Sequence, residues 1–378
     1  MGPQLDEDQR EFQTNLARWV DERLVPRAEE LDHSGDFARD LFVELAELGY
    51  LGLMYPEEYG GSGVPNPHVY FTILCEELAR GSMGFAATVC MHGSTATHTI
   101  HAWGSEDLRQ RYLVPALRGE KVGAFAITEA GAGSDAAAVR TRVDRVQGGY
   151  LLNGTKMFTS NGAIADFVTI VATSEPGKGA KAHGLYLVDT TSPGFSVGRR
   201  LEKFTTHCSD TVELVLQDVF VPDSQKLGDS ATNAYKALTV DRIFTAALAL
   251  GTGRAAYDAA VRYAGERSQF GQPIGKFQAV QFRLVDMLAK LEQARLYTYH
   301  AASLADSGQS ITTEAALAKI IAAENCNEVC QKAMSVFGGW GLMTEFPVQR
   351  FLRDSYFPMV GGGTGDIMRL VVARQIGL

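Results

Sequence analysis

The chain of 378 residues is long enough for two or three domains and for a large hydrophobic core. Hydrophobic residues make up 46% and charged residues 21%, a composition that argues against disorder as the main state of the chain. The formal net charge of −9 argues against nucleic-acid binding through phosphates, although it is compatible with a local basic cleft for a small phosphorylated ligand.

The sequence shows no targeting or membrane signal. No apolar stretch reaches the length of a membrane span, and the first ten residues lack the apolar region of a secretory leader. The five cysteines form no CxxC pair. Cys326 and Cys330 are four residues apart in a helical pattern, so we interpret them as buried thiols on one face. We therefore expect a cytoplasmic protein in a reducing compartment.

Residues 1–122 are predicted to form an α-helical domain. Apolar residues recur there at three- and four-residue spacing, which predicts helices over Glu11–Ala28, Arg39–Leu48, Val69–Arg80 and Glu106–Leu117. Gly49 is a predicted helix stop, and the segment from Pro56 to Pro67 is a predicted loop because it is rich in Gly and Pro.

Residues 123–230 are predicted to form an all-β domain. Short runs of β-branched residues with period-two alternation predict strands over Val139–Val146, Tyr150–Leu152, Phe167–Ala172, Gly184–Asp189 and Thr211–Val221. The Gly148-Gly149 pair between the first two runs is typical of a hairpin turn.

Residues 231–378 are predicted to form a helical bundle. Helical periodicity covers Thr239–Ala264, Phe277–Ser307 and Thr313–Phe337, with a short terminal helix over Arg369–Ile376. The glycines at 338 and 339 would close the third long helix, as a glycine C-cap does. Helices, then strands, then a bundle predict a multidomain α+β protein.

Three polar or glycine-rich loops are candidate ligand sites. Thr128–Asp135 is rich in glycine and hydroxyl groups, and Asn153–Gly162 is a predicted polar loop whose Phe158 could stack on a flat ring. Gly361–Gly365 precedes a predicted helix, where free N–H groups attract anions. A tight chain reversal would produce the same glycine pattern.

Two further patterns are interpreted as structural. Gly251–Ala256 matches the GxGxxA form of a dinucleotide-binding fingerprint, but no strand precedes it and no βαβ unit follows, so small residues at a helix contact are the better interpretation. The nearest group of histidines, His92, His98 and His101, does not have metal-ligand spacing, and no metal site is predicted.

Several ordered segments are together similar to those of one known family: Pro56–Gly63, Thr128–Asp135, Leu152–Gly162, Lys203–Leu214, Glu266–Gly271 with Phe277-Gln278, Phe337–Gly341, and Leu352–Asp354 ahead of Gly363-Thr364. On these segments the chain resembles the acyl-CoA dehydrogenase family over essentially its whole length. The resemblance implies an N-terminal α-helical domain, a central β-barrel and a C-terminal four-helix bundle. It also implies bound FAD and a homotetramer.

The resemblance implies that the flavin lies between the barrel and the bundle, with its adenosine end reaching a neighbouring subunit. Phe158 matches an aromatic residue that packs on the flavin, and Ser160 matches a hydroxyl that faces its N5 edge. Flavin or thioester contacts are implied for Phe125, Ile127, Thr128 and Ser134. Other cofactor contacts are implied for Arg267, Phe270, Gln278, Gly338, Gly339, Thr364, the neighbouring Asp366, and Ser335, which stands where a Gln is common.

The resemblance also implies the chemistry. The family removes an α-proton from an acyl thioester with a carboxylate base while a β-hydride passes to the flavin. In most members the base is a Glu directly before a C-terminal Gly-Thr pair. Here that position is Gly362, whose N–H could still hold the thioester oxygen.

Long-chain and isovaleryl members instead place the base on the helix that opens the bundle, directly before a substrate-side arginine. Arg242 matches that arginine, so the matching base position is Asp241. It shares a predicted helical face with Leu238, Thr245 and Leu248, which makes an inward carboxylate with a raised pKa plausible. The alternative is an Asp that is solvated or paired with a neighbouring cation.

Three functions remain open from the sequence. The first is FAD-dependent oxidation of an acyl thioester of CoA or an acyl carrier protein, with Asp241 as base and electron-transfer flavoprotein or O₂ as electron acceptor. The second is altered chemistry, in which loss of carboxylate or sulfinate replaces proton abstraction, or reduced flavin activates O₂. The third is a non-catalytic protein that binds flavin or thioester. No nucleic-acid or membrane partner is expected.

Overall fold

The computed structural model describes residues 5–228, 230 and 232–378. Its N-terminal helices are α1 (Glu7–Trp19), α2 (Ala28–Ser34), α3 (Arg39–Glu47), α4 (Pro67–Gly81), α5 (Met83–Met91), α6 (Thr97–Trp103), α7 (Glu106–Leu108) and α8 (Val114–Leu117). The single helix predicted over Glu11–Ala28 is wrong, because a π turn at Val20–Leu24 and a 3₁₀ turn at Val25–Arg27 separate α1 from α2. Pro26 has no N–H to donate within a helix, which accounts for the break.

Helices α5 and α6 were not predicted. Nearly every residue of α5 is buried, so the helix lacks the alternation of buried and exposed positions that marks a surface helix. A π turn at His92–Ala96 joins the two helices, and all five of its residues are buried. Turns of this kind occur frequently at functional sites.

The middle of the chain forms one curled seven-stranded sheet. Its strands are β1 (Gly123–Ala126), β2 (Arg142–Val146), β3 (Gly149–Ser160), β4 (Phe167–Thr173), β5 (His183–Asp189), β6 (Phe195–Arg200) and β7 (Thr211–Pro222). The order is β1-β4-β2-β3-β7-β6, with β5 paired to β4. Strands β1 and β6 are not predicted from the sequence. Strand β1 has four residues, all buried, and β6 is an end strand that is almost wholly exposed, so neither shows an alternation of apolar and polar residues.

The polar loop predicted over Asn153–Gly162 is wrong for most of its length, because β3 continues to Ser160. This strand pairs with β7 throughout, and the register shifts between Leu152 and Gly154 and again between Lys156 and Thr159. Such β-bulges interrupt the alternation of side chains along a strand. Because this alternation is interrupted, the sequence pattern of the segment predicts a loop where the chain forms a strand.

The remainder is helical, as predicted. Helices α9 (Asn233–Glu266), α10 (Gln278–Asp306) and α11 (Thr312–Phe337) form the bundle, followed by α12 (Val348–Asp354), α13 (Phe357–Val360) and α14 (Gly365–Gln375). Two short strands, β8 (Ser268–Gln269) and β9 (Gln272–Pro273), pair between α9 and α10. The predicted three-part architecture is therefore confirmed.

Small residues let α9 approach its neighbours. A Cβ atom at Gly251 would collide with the backbone carbonyl of Glu76 on α4, and one at Gly253 would lie 2.9 Å from the Cβ atom of Cys326 on α11. The fingerprint-like segment is thus a helix contact, as interpreted from the sequence. All five cysteines are free and buried.

The main hydrophobic cluster contains side chains from both α4 and α9, so it joins the N-terminal helices to the bundle. The predicted domain boundary between residues 230 and 231 involves Ala231, which lies outside the described residues. The three domain ranges therefore stay predictions. Within the described part of the chain, no helix is long and apolar enough to cross a membrane.

Candidate active site

Asp241 points inward from α9 and is only 6% exposed. The Ser94 hydroxyl, from the π turn between α5 and α6, donates to its Oδ1 atom at 2.6 Å. Thr245, one turn further along α9, also hydrogen-bonds the carboxyl group. The helical face predicted from the sequence is therefore buried at Asp241, Thr245 and Leu248 and partly buried at Leu238, and it carries a hydrogen-bonded carboxyl group.

Gly362 lies directly against this carboxyl group. A Cβ atom built on it would stand 3.5 Å from the Oδ2 atom of Asp241 and 3.4 Å from the Oγ1 atom of Thr245. The φ angle of Gly362 is +69°, a conformation that favours glycine. Ser94, Asp241, Thr245 and Gly362 thus form one group, hereafter the Asp241 cluster.

The Gly362 N–H has no acceptor within the described residues. Its neighbours do, because the Gly361 N–H donates to the Phe357 carbonyl at 2.8 Å and the Gly363 N–H to the Val360 carbonyl at 3.3 Å. The fully buried Lys319 of α11 donates from Nζ to the Gly363 carbonyl. The loop is thereby held on both sides of one free N–H group.

Burial raises the pKa of Asp241, opposed by the Ser94 hydrogen bond and the charge of Arg242. Burial likewise lowers the pKa of Lys319 to about 8, assisted by Arg242, while Asp241 opposes that shift. The Nε atom of Arg242 is buried and has no hydrogen-bond partner among the described residues. The site therefore brings two cations close to a single carboxyl group.

A second group of predicted residues lies on the sheet. Phe158 has a φ of +55° within the β3 bulge and is 62% exposed. The Met157 N–H donates to the Thr128 carbonyl at 2.8 Å, which places the Thr128–Asp135 loop beside Phe158. Ser160 ends the same strand, half-buried. The bulge turns an aromatic ring outward where a packed sheet face would otherwise be expected.

A buried ion pair anchors that loop. The Lys156 Nζ atom donates to Glu129 Oε1 at 2.7 Å and to the Ile127 carbonyl at 3.0 Å. Burial lowers the pKa of Lys156 to about 8, although Glu129 opposes the shift. Ser134 sits further along the loop and is exposed.

The sheet group and the Asp241 cluster are neighbours. Phe125 and the partly buried Ile127 pack in the same hydrophobic cluster as Leu238, which precedes Asp241 by about one helical turn on α9. Phe125 and Ile127, two of the residues predicted to contact flavin or thioester, therefore lie where the sheet packs against the bundle.

An open pocket of about 590 Å³ lies at the far end of α9 and α11, and we call it the Arg267 pocket. Its lining residues are Tyr263, Arg267, Gln269, Ile274, Val336, Phe337, Gly338, Gly339, Trp340 and Met343. Gly338 has a φ of +60°, and no atom lies within 4 Å of a Cβ atom built on either glycine. Their backbones are thus open to a ligand.

The other predicted cofactor residues do not line this pocket. Phe270 is 94% exposed, Gln278 is exposed at the start of α10, and the exposed Ser335 turns its hydroxyl back to the Gln331 carbonyl at 3.3 Å. Thr364 caps α14, where its hydroxyl accepts from the Ile367 N–H at 3.3 Å, and Asp366 is exposed in the first turn.

His92, one of the three histidines grouped in the sequence, is buried and hydrogen-bonded. His92 accepts a hydrogen bond from the Gly123 N–H at 3.1 Å, and burial lowers its pKa to about 4. The described residues contain no group of three or more His, Cys, Asp or Glu side chains that could hold a metal ion.

Sequence reasoning missed Ser94 and Lys319. Ser94 lies in a buried helical segment without periodicity, so no sequence signal connected it with Asp241. Lys319 follows an alanine-rich stretch on the buried face of α11. A charged residue on such a face is unusual, and this was the signal that could have identified it.

Models of three acyl-CoA dehydrogenase domains match the chain in order: the N-terminal domain over residues 6–120, the middle domain over 124–219 and the C-terminal domain over 231–377. Benzylmalonyl-CoA dehydrogenase of Aromatoleum aromaticum is 42% identical over 376 residues, or 98% of each chain. Subunit CarC of the caffeyl-CoA reductase-Etf complex of Acetobacterium woodii is 36% identical over 351 residues, or 92% of each.

The solved structure of butyryl-CoA dehydrogenase from Megasphaera elsdenii superimposes with a TM-score of 0.96, at 35% identity and with full coverage of both chains. The chain belongs to the acyl-CoA dehydrogenase family. It is an FAD-dependent oxidoreductase that oxidises an acyl thioester, which favours the two catalytic alternatives over a non-catalytic binding protein.

Proposed function

We propose that Asp241 is the base that removes the α-proton of the acyl thioester. The observation that carries the proposal is the convergence of the two base positions used in the family. The Oδ2 atom of Asp241 lies 3.5 Å from the point where a side chain at Gly362 would begin. The carboxylate of Asp241 therefore lies beside the position from which the glutamate of most family members would extend.

The environment suits a base that must act on a weakly acidic C–H bond. Asp241 is buried, and burial raises its pKa, which makes the carboxylate a stronger proton acceptor. Exclusion of water also strengthens the electrostatic interactions that position the reacting groups. As the proton leaves, it is held on the carboxyl group.

The Gly362 N–H is the proposed donor to the thioester oxygen. Negative charge develops on that oxygen when the α-proton is removed, and a fixed N–H group stabilises it without reorganisation. Lys319 keeps the loop in place through the Gly363 carbonyl. In this proposal the substrate lies between the base, Asp241 on α9, and the N–H donor, Gly362 in the loop before α14.

The residues present fit FAD. Phe158 offers an exposed ring in the bulge of β3, and the Arg267 pocket offers an exposed guanidinium beside two open glycine backbones. A guanidinium binds a diphosphate through charge-assisted hydrogen bonds. FAD, when bound, supplies the acceptor for the hydride that leaves the β-carbon. Ser134 and Ser160 remain proposed contacts of thioester and flavin.

The proposed assembly is a cytoplasmic homo-oligomer built on dimers, with a tetramer as the full form. The exposure of Phe270 at 94% supports a second copy covering this end of the molecule. CoA is the proposed carrier because the names of all three relatives given above include a CoA thioester. Electron-transfer flavoprotein is the proposed electron acceptor, with O₂ as the alternative, because one relative is the subunit of an Etf complex.

The experiment isolates proton removal from hydride transfer. 3,3-Dimethylbutyryl-CoA has α-hydrogens but no β-hydrogen, so the holoenzyme can exchange its α-protons with D₂O without oxidising it, and NMR measures the rate. Asp241→Asn should slow this exchange by roughly 10²- to 10⁴-fold. FAD content should be unchanged because Asp241 lies away from the Arg267 pocket.

The matched control is Asp258→Asn on the same helix. Asp258 has a half-exposed side chain 17 residues further along α9, about 25 Å away, and its substitution should leave exchange unchanged. Exchange by the Asp241→Asn variant at the wild-type rate would show that Asp241 is not the base.

A second candidate function is oxidation with loss of an α-carboxylate. The favouring observation is Arg242, whose buried Nε atom has no hydrogen-bond partner among the described residues. Together with the buried Lys319 it leaves the site one positive charge in excess over Asp241. An anionic substituent on the acyl group would balance that charge.

In this candidate function CO₂ leaves the α-carbon, and the electron pair of the broken C–C bond forms the new double bond as the β-hydride departs. No α-proton is abstracted. With benzylmalonyl-CoA as probe, Asp241→Asn should then keep its rate of CO₂ release, and Arg242→Met should lose it. If the wild type and the Asp241→Asn variant both fail to release CO₂, while the wild type exchanges α-protons, the first function is supported.

A further inference from the structure

We infer that Ser94 is a positioning residue for the base: its hydroxyl holds the Oδ1 atom of Asp241 so that the Oδ2 atom faces Gly362 and the substrate. The inference rests on the proposed role of Asp241 as base. Nothing in the resemblance to the family points to Ser94, and the contact becomes visible only in the fold.

The geometry divides the two oxygens of the carboxyl group between two tasks. Ser94 donates to Oδ1 at 2.6 Å, and both side chains are buried, at 1% and 6% exposure. Of the two carboxyl oxygens, Oδ2 is the one that faces the side-chain position of Gly362, at 3.5 Å from a Cβ atom built there. An aspartate is one methylene shorter than glutamate, so a fixed orientation determines whether its oxygen reaches the α-proton.

A third side chain, the Cys90 thiol, also contacts the Ser94 hydroxyl. The Cys90 thiol, one helical turn before Ser94, donates to the Ser94 oxygen at 3.8 Å. The hydrogen bond with Cys75, burial and the charge of Asp241 raise the pKa of Cys90 well above its usual value, so the thiol stays protonated. Because the ionised carboxylate of Asp241 accepts hydrogen bonds and cannot donate one, the Ser94 proton points to its Oδ1 atom.

The π turn explains how α5 and α6 can supply this hydroxyl. A π turn adds one residue to a helical turn and rotates the following side chains relative to the preceding ones. Ser94 lies in the middle of the turn at His92–Ala96 and faces α9 across the core.

Ser94 also acts on the charge of the base. The groups facing Asp241 are Arg242 and Thr245 on its own helix, Lys319 on α11, and Ser94 with the Cys90 thiol from the α5–α6 segment. A hydrogen bond donated to the carboxylate favours its charged form. Loss of the hydroxyl should therefore raise the pKa of Asp241 further and move the acid limb of the reaction to higher pH.

The test measures α-proton exchange of 3,3-dimethylbutyryl-CoA by the holoenzyme across pH. Ser94→Ala should lower the plateau rate by roughly 10- to 100-fold, the value of a hydrogen bond to a charged group, and shift the acid limb upward. Ser94→Cys keeps the volume but donates weakly, so it should lie between the two proteins. It also keeps the test decisive if the alanine variant loses FAD.

Thr95→Val is the matched control, because it removes a buried hydroxyl from the same turn that serves a backbone carbonyl instead, that of Met91. It should leave rate and pH profile unchanged. Adding Ser94→Ala to Asp241→Asn should cause no further loss.

The outcomes separate the two claims. If Asp241→Asn abolishes exchange while Ser94→Ala and Ser94→Cys keep the wild-type plateau and acid limb, the positioning role is wrong and the base assignment stands. If Asp241→Asn keeps exchange, the base assignment itself is wrong, and so is the role of Ser94.

Discussion

The Asp241 cluster and the Arg267 pocket lie at opposite ends of α9, and they differ in how complete each is within one chain. In the Asp241 cluster the carboxyl group is buried and hydrogen-bonded by side chains of the same chain. The Arg267 pocket is open, and Trp340 on its wall is 44% exposed. Phe270, close to it in sequence, is exposed almost completely.

The difference matches the roles proposed for the two ends. Proton removal from a weak carbon acid needs a dry and rigid site, which a chain achieves by enclosing the carboxylate in its own core. Holding the far end of a long cofactor needs charge and contact area, which a second copy can complete. We therefore expect substitutions in the Asp241 cluster to change rates, and those near the Arg267 pocket to change cofactor affinity and assembly.

The largest expected effect comes from moving the base. Gly362→Glu alone places a second carboxyl group against Asp241, so one of the two must stay protonated. In Asp241→Asn the same glutamate is the single carboxylate at this point, and it should recover α-proton exchange at least ten-fold over Asp241→Asn alone. The positive φ of Gly362 costs the glutamate about 1–2 kcal/mol, so recovery should be incomplete.

Asp241→Glu is the companion variant, and it should stay active because it keeps the carboxylate on α9. NMR of the thioester in D₂O follows all these proteins. No recovery in the double variant, with FAD content retained, would contradict the convergence of the two base positions.

The next effect concerns cofactor affinity. Arg267→Ala should weaken FAD binding by roughly 10- to 100-fold, because a charge-assisted contact to the diphosphate is lost. Exchange per bound FAD should be unchanged, since the Asp241 cluster is intact. Titration of apoprotein with FAD measures the first quantity. Arg262→Ala, an exposed arginine one and a half turns earlier on α9, is the control and should bind FAD normally.

A comparable change should affect assembly. Phe270→Ser removes a ring that is 94% exposed in the single chain, and burial of such a ring against a second copy stabilises an interface by about 1.5–3 kcal/mol. The variant should therefore dissociate at roughly ten-fold or higher protein concentration, as measured by light scattering on dilution. A variant that assembles like the wild type would place Phe270 outside the interface.

The predictability of the two ends also differs. The three-part fold and the buried face of α9 could be predicted from the sequence, because in long helices the spacing of apolar residues indicates which face is buried. The sequence was also sufficient to single out Asp241 and Gly362, which stand side by side in the structure although 121 positions separate them in the chain.

Ser94 and the outward ring of Phe158 required the structure. Ser94 lies in a helical segment that is buried on nearly all sides, so its sequence lacks the periodic alternation of apolar and polar residues that marks a surface helix. Phe158 stands in a bulge, where alternation fails and a strand resembles a loop. In both places a local irregularity sets the orientation of the side chain, so regular patterns predicted neither the contact of Ser94 nor the outward direction of the Phe158 ring.

The smallest expected effect separates capping from cofactor contact at Thr364, which follows the loop that carries Gly362. Its hydroxyl accepts from the Ile367 N–H at 3.3 Å, so its own proton is still available to a ligand. Thr364→Ala should lower the free energy of unfolding of the apoprotein by about 1 kcal/mol, the usual value of a helix cap. With FAD bound the loss should be larger, because the contact implied by the family resemblance is then lost as well. Thr364→Ser keeps the hydroxyl and should lose neither, and chemical denaturation of apo- and holoprotein measures all four differences. Equal losses in the two forms would assign Thr364 to the cap of α14 alone and leave the proposed cofactor contacts to the β3 bulge and the Arg267 pocket.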